Sequence, residues 1–237
     1  MADLAGKAAV ITGGASGIGL GLARRLKAEG MQVLIADSDA EALAAAAAEL
    51  GVPGVAVDVR EPQSVQALAR EAQARFGAVH LLCANAGVSR MGAITRLTPQ
   101  DWRWLFDVNL FGAVNTVQAF LPLLKANPDG GHVLITGSLS SLYATRAQAA
   151  YGATKYALAA FAETLALELQ AEGAGVGVSL LCPGPVRTNL GSSYARRRRA
   201  TAVRRPPTPS RTSTSRPSAA WSRAPTGARP ARSPRPS

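Results

Sequence analysis

A glycine-rich turn between a short apolar run and a helical pattern constrains this chain most. Lys7-Ala8-Ala9-Val10-Ile11-Thr12 is short and apolar enough to be a buried strand. Gly13-Gly14-Ala15-Ser16-Gly17-Ile18-Gly19 comes next, and Leu20 to Glu29 then spaces its apolar residues as a helix does. Glycines let backbone approach a bound group closely, and the first turn of a helix offers unpaired N–H groups and partial positive charge to an anion. The spacing Gly-x-x-x-Gly-x-Gly at 13, 17 and 19 departs from the commoner G-x-G-x-x-G, and a glycine-rich turn can also serve plain chain reversal. The next segment of the chain narrows the choice. Met31 to Ala36 reads as a second strand ending at Asp37, 18 residues after Gly19. An acid at that place is expected to take the hydroxyls of an adenosine ribose and to repel a 2′-phosphate. Ala15 and Ser38 supply no cation for such a phosphate, so NAD is expected over NADP.

The alternation continues along the chain. Asp39 to Leu50 reads as an Ala-rich helix, Val55 to Val57 as a strand closed by Asp58, and Pro62 to Phe76 as an amphipathic helix with Pro62 suited to its first turn. Val79 to Ala84 reads as a fourth strand, succeeded by Asn85-Ala86-Gly87. Thr98-Pro99 opens one long helix to about Ala126, with Asn109 in its middle, where a buried amide is costly unless bonded. Gly131 to Thr136 is the fifth strand and ends at Gly137-Ser138. A further long helix carries Tyr151 and Lys155, and Gly175 to Cys182 is the sixth strand, broken by Pro183-Gly184-Pro185-Val186-Arg187-Thr188. Six strands alternating with helices predict an α/β fold with a doubly wound parallel sheet of Rossmann type, in strand order 3-2-1-4-5-6. Ligands bind at the carboxyl ends of such strands. The turn at Gly13–Gly19, Asp37, Asp58, Asn85–Gly87, Ser138 and Pro183–Thr188 all fall there. Tyr151 and Lys155, four apart, share a helix face, and a cation near a phenol lowers its pKa toward a useful value.

The formal charge of +11 invites a nucleic-acid reading until it is located. Residues 1–195 carry 14 Lys and Arg against 15 Asp and Glu; residues 196–237 carry 12 Arg and no acid. The basicity therefore belongs to the end of the chain. That segment also holds eight of the 15 prolines, has no helical or strand period, and has Trp221 as its sole aromatic. Its composition predicts a disordered tail, giving a folded unit at 1–195 and a tail at 196–237. A basic arm on nucleic acid is the competing use, disfavoured by the lack of interleaved aromatics. A GC-rich reading frame translated out of register would yield the same mixture. Cys83 and Cys182 sit in apolar strands without metal or disulfide spacing and read as core residues; no metal is expected. No apolar run reaches the roughly 18 residues of a membrane span. The start shows no leader pattern, so the cytoplasm is the expected compartment.

Taken together, Thr12 to Gly19, Asn85-Ala86-Gly87, Asn109, Ser138, Tyr151-x-x-x-Lys155 and Pro183-Gly184 resemble the short-chain dehydrogenase/reductase family over residues 5–194. Ser138 stands 13 residues before Tyr151, the family's usual interval. The resemblance implies an oxidoreductase that transfers a hydride between NAD(H) and a small alcohol or carbonyl substrate. It implies Tyr151 as acid and base, Lys155 lowering the Tyr151 pKa and bonding the nicotinamide ribose, Ser138 polarising the substrate carbonyl, and Asn109 holding a water on a proton path. Cofactor contacts are implied at Gly13, Ser16, Gly17, Ile18, Gly19, Asp37, Asp58, Val59, Asn85, Ala86, Gly87, Tyr151, Lys155, Pro183, Gly184, Val186 and Thr188. Two departures stand out. Ala84 replaces an asparagine common in the family, and from Arg196 the chain lacks the composition of the family's substrate lid, last helix and seventh strand. The sixth strand is then an edge, a tetramer is disfavoured, and a homodimer through the Asn109 and Tyr151 helices remains open. NAD binding is expected to survive better than turnover. An NAD-binding protein without efficient turnover is the second reading, and a basic-tail interaction protein the third.

Overall fold

Short apolar runs become parallel strands here because helices cover both sheet faces. The structure, a computed structural model, describes residues 4–195; the expectations of a disordered tail and a missing seventh strand fall on 196–237, outside the described residues. The strands are β1 (Ala8–Thr12), β2 (Gln32–Asp37), β3 (Gly54–Ala56), β4 (Leu81–Ala84), β5 (Gly131–Thr136) and β6 (Val176–Leu181). They form one parallel sheet in the order β3-β2-β1-β4-β5-β6, as the alternation predicts. β1 lies at the centre with all five residues buried, Val10 aligned between Leu34 and Leu82.

Successive side chains of β1 point to opposite faces. Val10 joins Leu34, Leu82, Val133 and Ile135 under α3 (Pro62–Phe76), α5 (Gly112–Ala126) and α6 (Ala149–Ala171), with Phe120, Leu124 and Leu158 fully buried between. Ala9 and Ile11 face α1 (Gly17–Ala28) and α2 (Ala40–Leu50) through Ala23, Leu26, Leu43 and Leu50. That second layer covers β1, β2 and β3. On β6 the alternate residues Gly177 and Ser179 stand exposed, and among the described residues β6 pairs with β5 alone.

The one long helix expected over Thr98–Ala126 is interrupted. α4 (Pro99–Leu105) starts with a reciprocal cap, the Thr98 hydroxyl accepting from the Asp101 N–H and the Asp101 carboxylate from the Thr98 N–H. Phe106–Phe111 then winds as a π-helix before α5 begins. Such wide turns occur as single-turn bulges within α-helices, frequently at functional sites. Here Asn109 lies inside the turn, buried and bonded away from its own helix.

Candidate active site

The glycine-rich turn is held by contacts that leave no room for side chains. Gly13 and Gly17 adopt left-handed backbone, with φ of 65° and 55°. A Cβ on Gly19 would lie 2.1 Å from the Gly13 carbonyl oxygen, and one on Gly13 would lie 2.8 Å from the Ala86 Cα. Ser16 caps α1 from an extended conformation without using its hydroxyl, and the first turn contains no acidic residue. The unpaired N–H groups around Ser16, Gly17 and Ile18 are thus free of a competing anion. Asp37 ends β2 beside this turn; its carboxylate accepts from the Ala15 N–H at 3.2 Å and from the Asp39 N–H at 3.1 Å. Asp39, not Asp37, caps α2, accepting from Ala42.

Asp58, a cofactor contact implied by the resemblance, is engaged by Arg60. The guanidinium donates to both carboxylate oxygens at 2.5 to 3.0 Å, which lowers the carboxyl pKa. Val59 is buried and its carbonyl accepts from Asn115 at 2.9 Å.

Asn85 is the joint of the central strands. Its amide donates to the Thr12 and Gly13 carbonyls at 3.0 and 3.2 Å, and accepts from the Thr136 hydroxyl at 3.0 Å. The Thr12 hydroxyl accepts the N–H groups of Asn85 and Ala86 and donates to the Cys83 carbonyl. One side chain at the end of β1 and one at the end of β5 thereby lock the turn after β4. The departure at Ala84 is absorbed because that side chain is a buried β4 core residue. Cys83 beside it is buried, which pushes its thiol up to about 12 and makes it inert.

Asn109 accepts from the Val88 N–H at 2.8 Å and donates to the Val88 carbonyl at 3.0 Å and the Thr154 hydroxyl at 3.1 Å. A Cβ on Gly87 would lie 3.5 Å from Asn109 Oδ1 and 3.8 Å from Lys155 Nζ, so both side chains approach the backbone of the Asn-Ala-Gly turn. The buried Lys155 donates to the Thr136 carbonyl at 2.7 Å. Burial without a carboxylate partner lowers its pKa to about 8, with a smaller opposite pull from Cys182. Its Nζ is 5.7 Å from the centroid of the Tyr151 ring.

Tyr151 differs from expectation in one respect. Its pKa is raised, not lowered: burial is the larger cause, and hydrogen bonding with Ser138 only partly offsets it. The physical reason is desolvation of the buried phenol, while Lys155 directs a donor at the Thr136 carbonyl instead of at the phenol oxygen. Ser138 opens a tight turn over Leu139–Ser141; its hydroxyl accepts from the Ser140 N–H at 3.1 Å, and its own N–H donates to Ser141. The loop after β6 is tied to this turn by Leu139 N–H donating to the Pro183 carbonyl at 3.0 Å. Gly184 packs on Leu139, Thr188 lies against Gly17, and Val186 stands exposed.

The sequence-predicted residues thus gather along one sheet edge, with Asp58 drawn aside into its pair with Arg60. Those that sequence reasoning missed act through one another: Thr12 and Thr136 through Asn85, and Thr154 through Asn109. Thr12 and Thr154 each directly adjoin a residue already chosen, the one signal for them in the chain. Also missed was a remnant of cover beyond Thr188. Asn189–Ser192 makes a 3-10 turn, Ser193 is buried, and the Tyr194 ring packs on Trp104 and under Arg90. Among the described residues no group of His, Cys, Asp or Glu could hold a metal, and no helix is long and apolar enough to cross a membrane.

Comparison with known proteins agrees with this geometry. The family described as short chain dehydrogenase matches residues 7–199. The oxidoreductase UcpA of Escherichia coli K12 is 35% identical over 201 residues, 83% of this chain and 75% of that protein. The 1-deoxy-11-beta-hydroxypentalenate dehydrogenase of Streptomyces exfoliatus is 38% identical over 193 residues, covering 78% of this chain and 69% of its own. A short-chain dehydrogenase/reductase from Burkholderia phymatum, solved in complex with NAD, superposes with a TM-score of 0.82 at 37% identity, covering 90% of this chain and 76% of that one. The fold, the edge that gathers Tyr151, Lys155, Ser138 and Asn109, and these relatives agree: the chain is an oxidoreductase and belongs to the short-chain dehydrogenase family.

Proposed function

We propose that this chain transfers a hydride between NAD(H) and a small secondary alcohol or its carbonyl counterpart. The observation that carries the proposal is the buried Lys155, unpaired with any carboxylate among the described residues and set behind Tyr151 at the carboxyl end of β5. A lysine is costly to bury, and a functional partner outside the fold gives it a reason to be there. The Streptomyces relative is named for dehydrogenating a hydroxylated compound, which is consistent with an alcohol substrate.

The residues fit a dinucleotide. Gly13, Gly17 and Gly19 with the first turn of α1 would hold the diphosphate, with Ser16 and Ile18 beside it. Asp37 keeps lone pairs for a ribose diol after its two backbone bonds, and none of the ion pairs among the described residues involves it, which supports NAD over NADP. Asp58 with Arg60, and Val59, border the adenine side; Asn85, Ala86, Gly87, Pro183, Gly184, Val186 and Thr188 line the nicotinamide side. Bound NAD supplies the hydride acceptor.

The chain's own residues do the rest. The Tyr151 phenolate takes the proton of the alcohol in oxidation, and the Tyr151 phenol returns one to the carbonyl oxygen in reduction. The Ser138 hydroxyl, already accepting from Ser140, keeps its own proton to donate to that oxygen, where charge develops. Lys155 spends one donor on Thr136 and keeps others for the ribose and for the charge on Tyr151. Asn109 fixes the Val88 turn and, through Thr154, the helix turn that carries Lys155; a proton path past it completes the assignment. We place the protein in the cytoplasm as a homodimer, docking through α5 and α6, where Phe111 just before α5 and Tyr156 and Leu167 on α6 are exposed.

NADH absorbance measured with a panel of secondary alcohols and ketones tests the proposal. Turnover that Tyr151→Phe removes supports it. The second reading, NAD binding without turnover, is favoured by the open mouth, where Met91, Ile94, Leu142, Tyr143 and Val186 are all at least half exposed. It prevails if NAD binds and no member of the panel turns over.

A further inference from the structure

We infer that Arg90 is a recognition residue for a carboxylate carried by the substrate, so that the preferred substrates are hydroxy- or oxo-carboxylates; this rests on the oxidoreductase proposal above. Arg90 belongs to the turn after β4, held at two points that border the catalytic set. Val88 is fixed by both ends of the Asn109 amide. Gly92 donates its N–H to the Ala147 carbonyl at 2.8 Å, just ahead of the helix whose first turn carries Tyr151. The Arg90 guanidinium stacks on the Tyr194 ring at 4.2 Å. Tyr194 in turn packs on Trp104, in the apolar cluster that includes Ala150, the neighbour of Tyr151.

The donors of Arg90 are unevenly used. Nη1 donates to the Met91 carbonyl. Nε is buried and has no acceptor, the one such side-chain atom among the described residues. None of the ion pairs among those residues involves Arg90. Nε and Nη2 share the edge of the guanidinium opposite the occupied one. That edge presents two parallel N–H groups, the fork that matches a carboxylate. A buried donor without an acceptor and a cation without a counter-charge both disfavour the empty state. The stacking on Tyr194 fixes the plane in advance, which lowers the entropy lost on binding. A carboxylate reaching this edge from a carbinol at Tyr151 would satisfy both groups at once.

The test uses the full chain and a reach series of secondary hydroxycarboxylates, from 3-hydroxybutanoate to 7-hydroxyoctanoate, each beside its methyl ester. Binding in the presence of NAD is read from tryptophan fluorescence, Trp104 lying next to Tyr194, and turnover is read separately from NADH absorbance. At least one acid is expected to bind about ten- to a hundredfold more tightly than its ester. Arg90→Gln closes that gap, mainly by raising KM for the acid, while Arg90→Lys retains part of it. The inference is overturned if the unaltered chain does not distinguish any acid from its ester, or if Arg90→Gln weakens both alike, as loss of a purely structural stack would. Arg90-dependent acid binding without NADH formation would uphold this inference and sink the oxidoreductase proposal. Turnover of neutral alcohols with no acid–ester difference would do the reverse.

Discussion

On the β1–β4 side of the site, the Asn85 amide is spent on Thr12, Gly13 and Thr136 and the glycines touch backbone; on the β5–β6 side, Leu142, Tyr143 and Val186 stand at least half exposed beside Ser138. The first region is closed by the chain's own long-range bonds. The second is held at Pro183 and Tyr194 and otherwise open to whatever binds it. The difference separates two demands. Holding a dinucleotide needs backbone placed to a few tenths of an ångström, which packing alone supplies. Enclosing a small substrate needs a wall, and within the described residues that wall is a single turn after β6.

If the two regions are separable, Tyr151→Phe should lower turnover by about 10³-fold and leave NAD affinity within roughly a factor of two. Titrating NAD against the variant checks this, and a collapse of both would show one coupled site. Gly19→Ala tests the closed region. Its new Cβ meets the Gly13 oxygen at 2.1 Å, so stability should fall by about 1–3 kcal/mol and NAD binding should be lost, seen in denaturant melts and the same titration. Asp37→Ala should leave the fold intact and erode the preference for NAD over NADP on the order of tenfold to a hundredfold, measured as the ratio of kcat/KM for the two cofactors.

A subtler effect lies in pH. The folded pKa of Lys155 is lowered to about 8 from 10.5, so between these values the unfolded chain binds more protons than the native one. Stability contributed at this site therefore rises as pH climbs from about 8 to 10.5, and the full burial penalty is present below that window. The melting temperature of Lys155→Met relative to the unaltered chain should be highest near neutral pH and should decline toward alkaline pH; a flat difference would show that the Thr136 bond already compensates the charge. The smallest change expected is Gly21→Ala. Gly21 is an exposed position of α1 with open space around it, so alanine should stabilise by about 0.5–1 kcal/mol, with no effect on cofactor affinity.

Much of this was legible along the chain because it is local. Apolar runs of strand length, turns ending in glycine and helices at 3.6 spacing predict the element order, and right-handed crossovers then leave one strand order. Tyr151 and Lys155 share a face by helix geometry alone. The strand limits shift by a residue or two, as at β3, expected over Val55–Val57 and found at Gly54–Ala56, because pairing with β2 rather than apolarity sets the ends. The break in the long helix was not legible, since it depends on Asn109 meeting Val88, 21 residues away, and Thr154, 45 residues away.

The sequence by itself determined an α/β sheet, the edge at which a nucleotide would sit and the residue types proposed for the chemistry, because each arises from short-range periodicity and from chain ends that parallel strands must share. Only the tertiary structure decided how those groups are charged and aimed: Arg60 engaging Asp58, Lys155 turned to Thr136, Tyr151 raised by burial, and Arg90 stacked on Tyr194 with an edge unspent. These properties depend on the distance and desolvation of groups far apart in the chain, which no local pattern encodes.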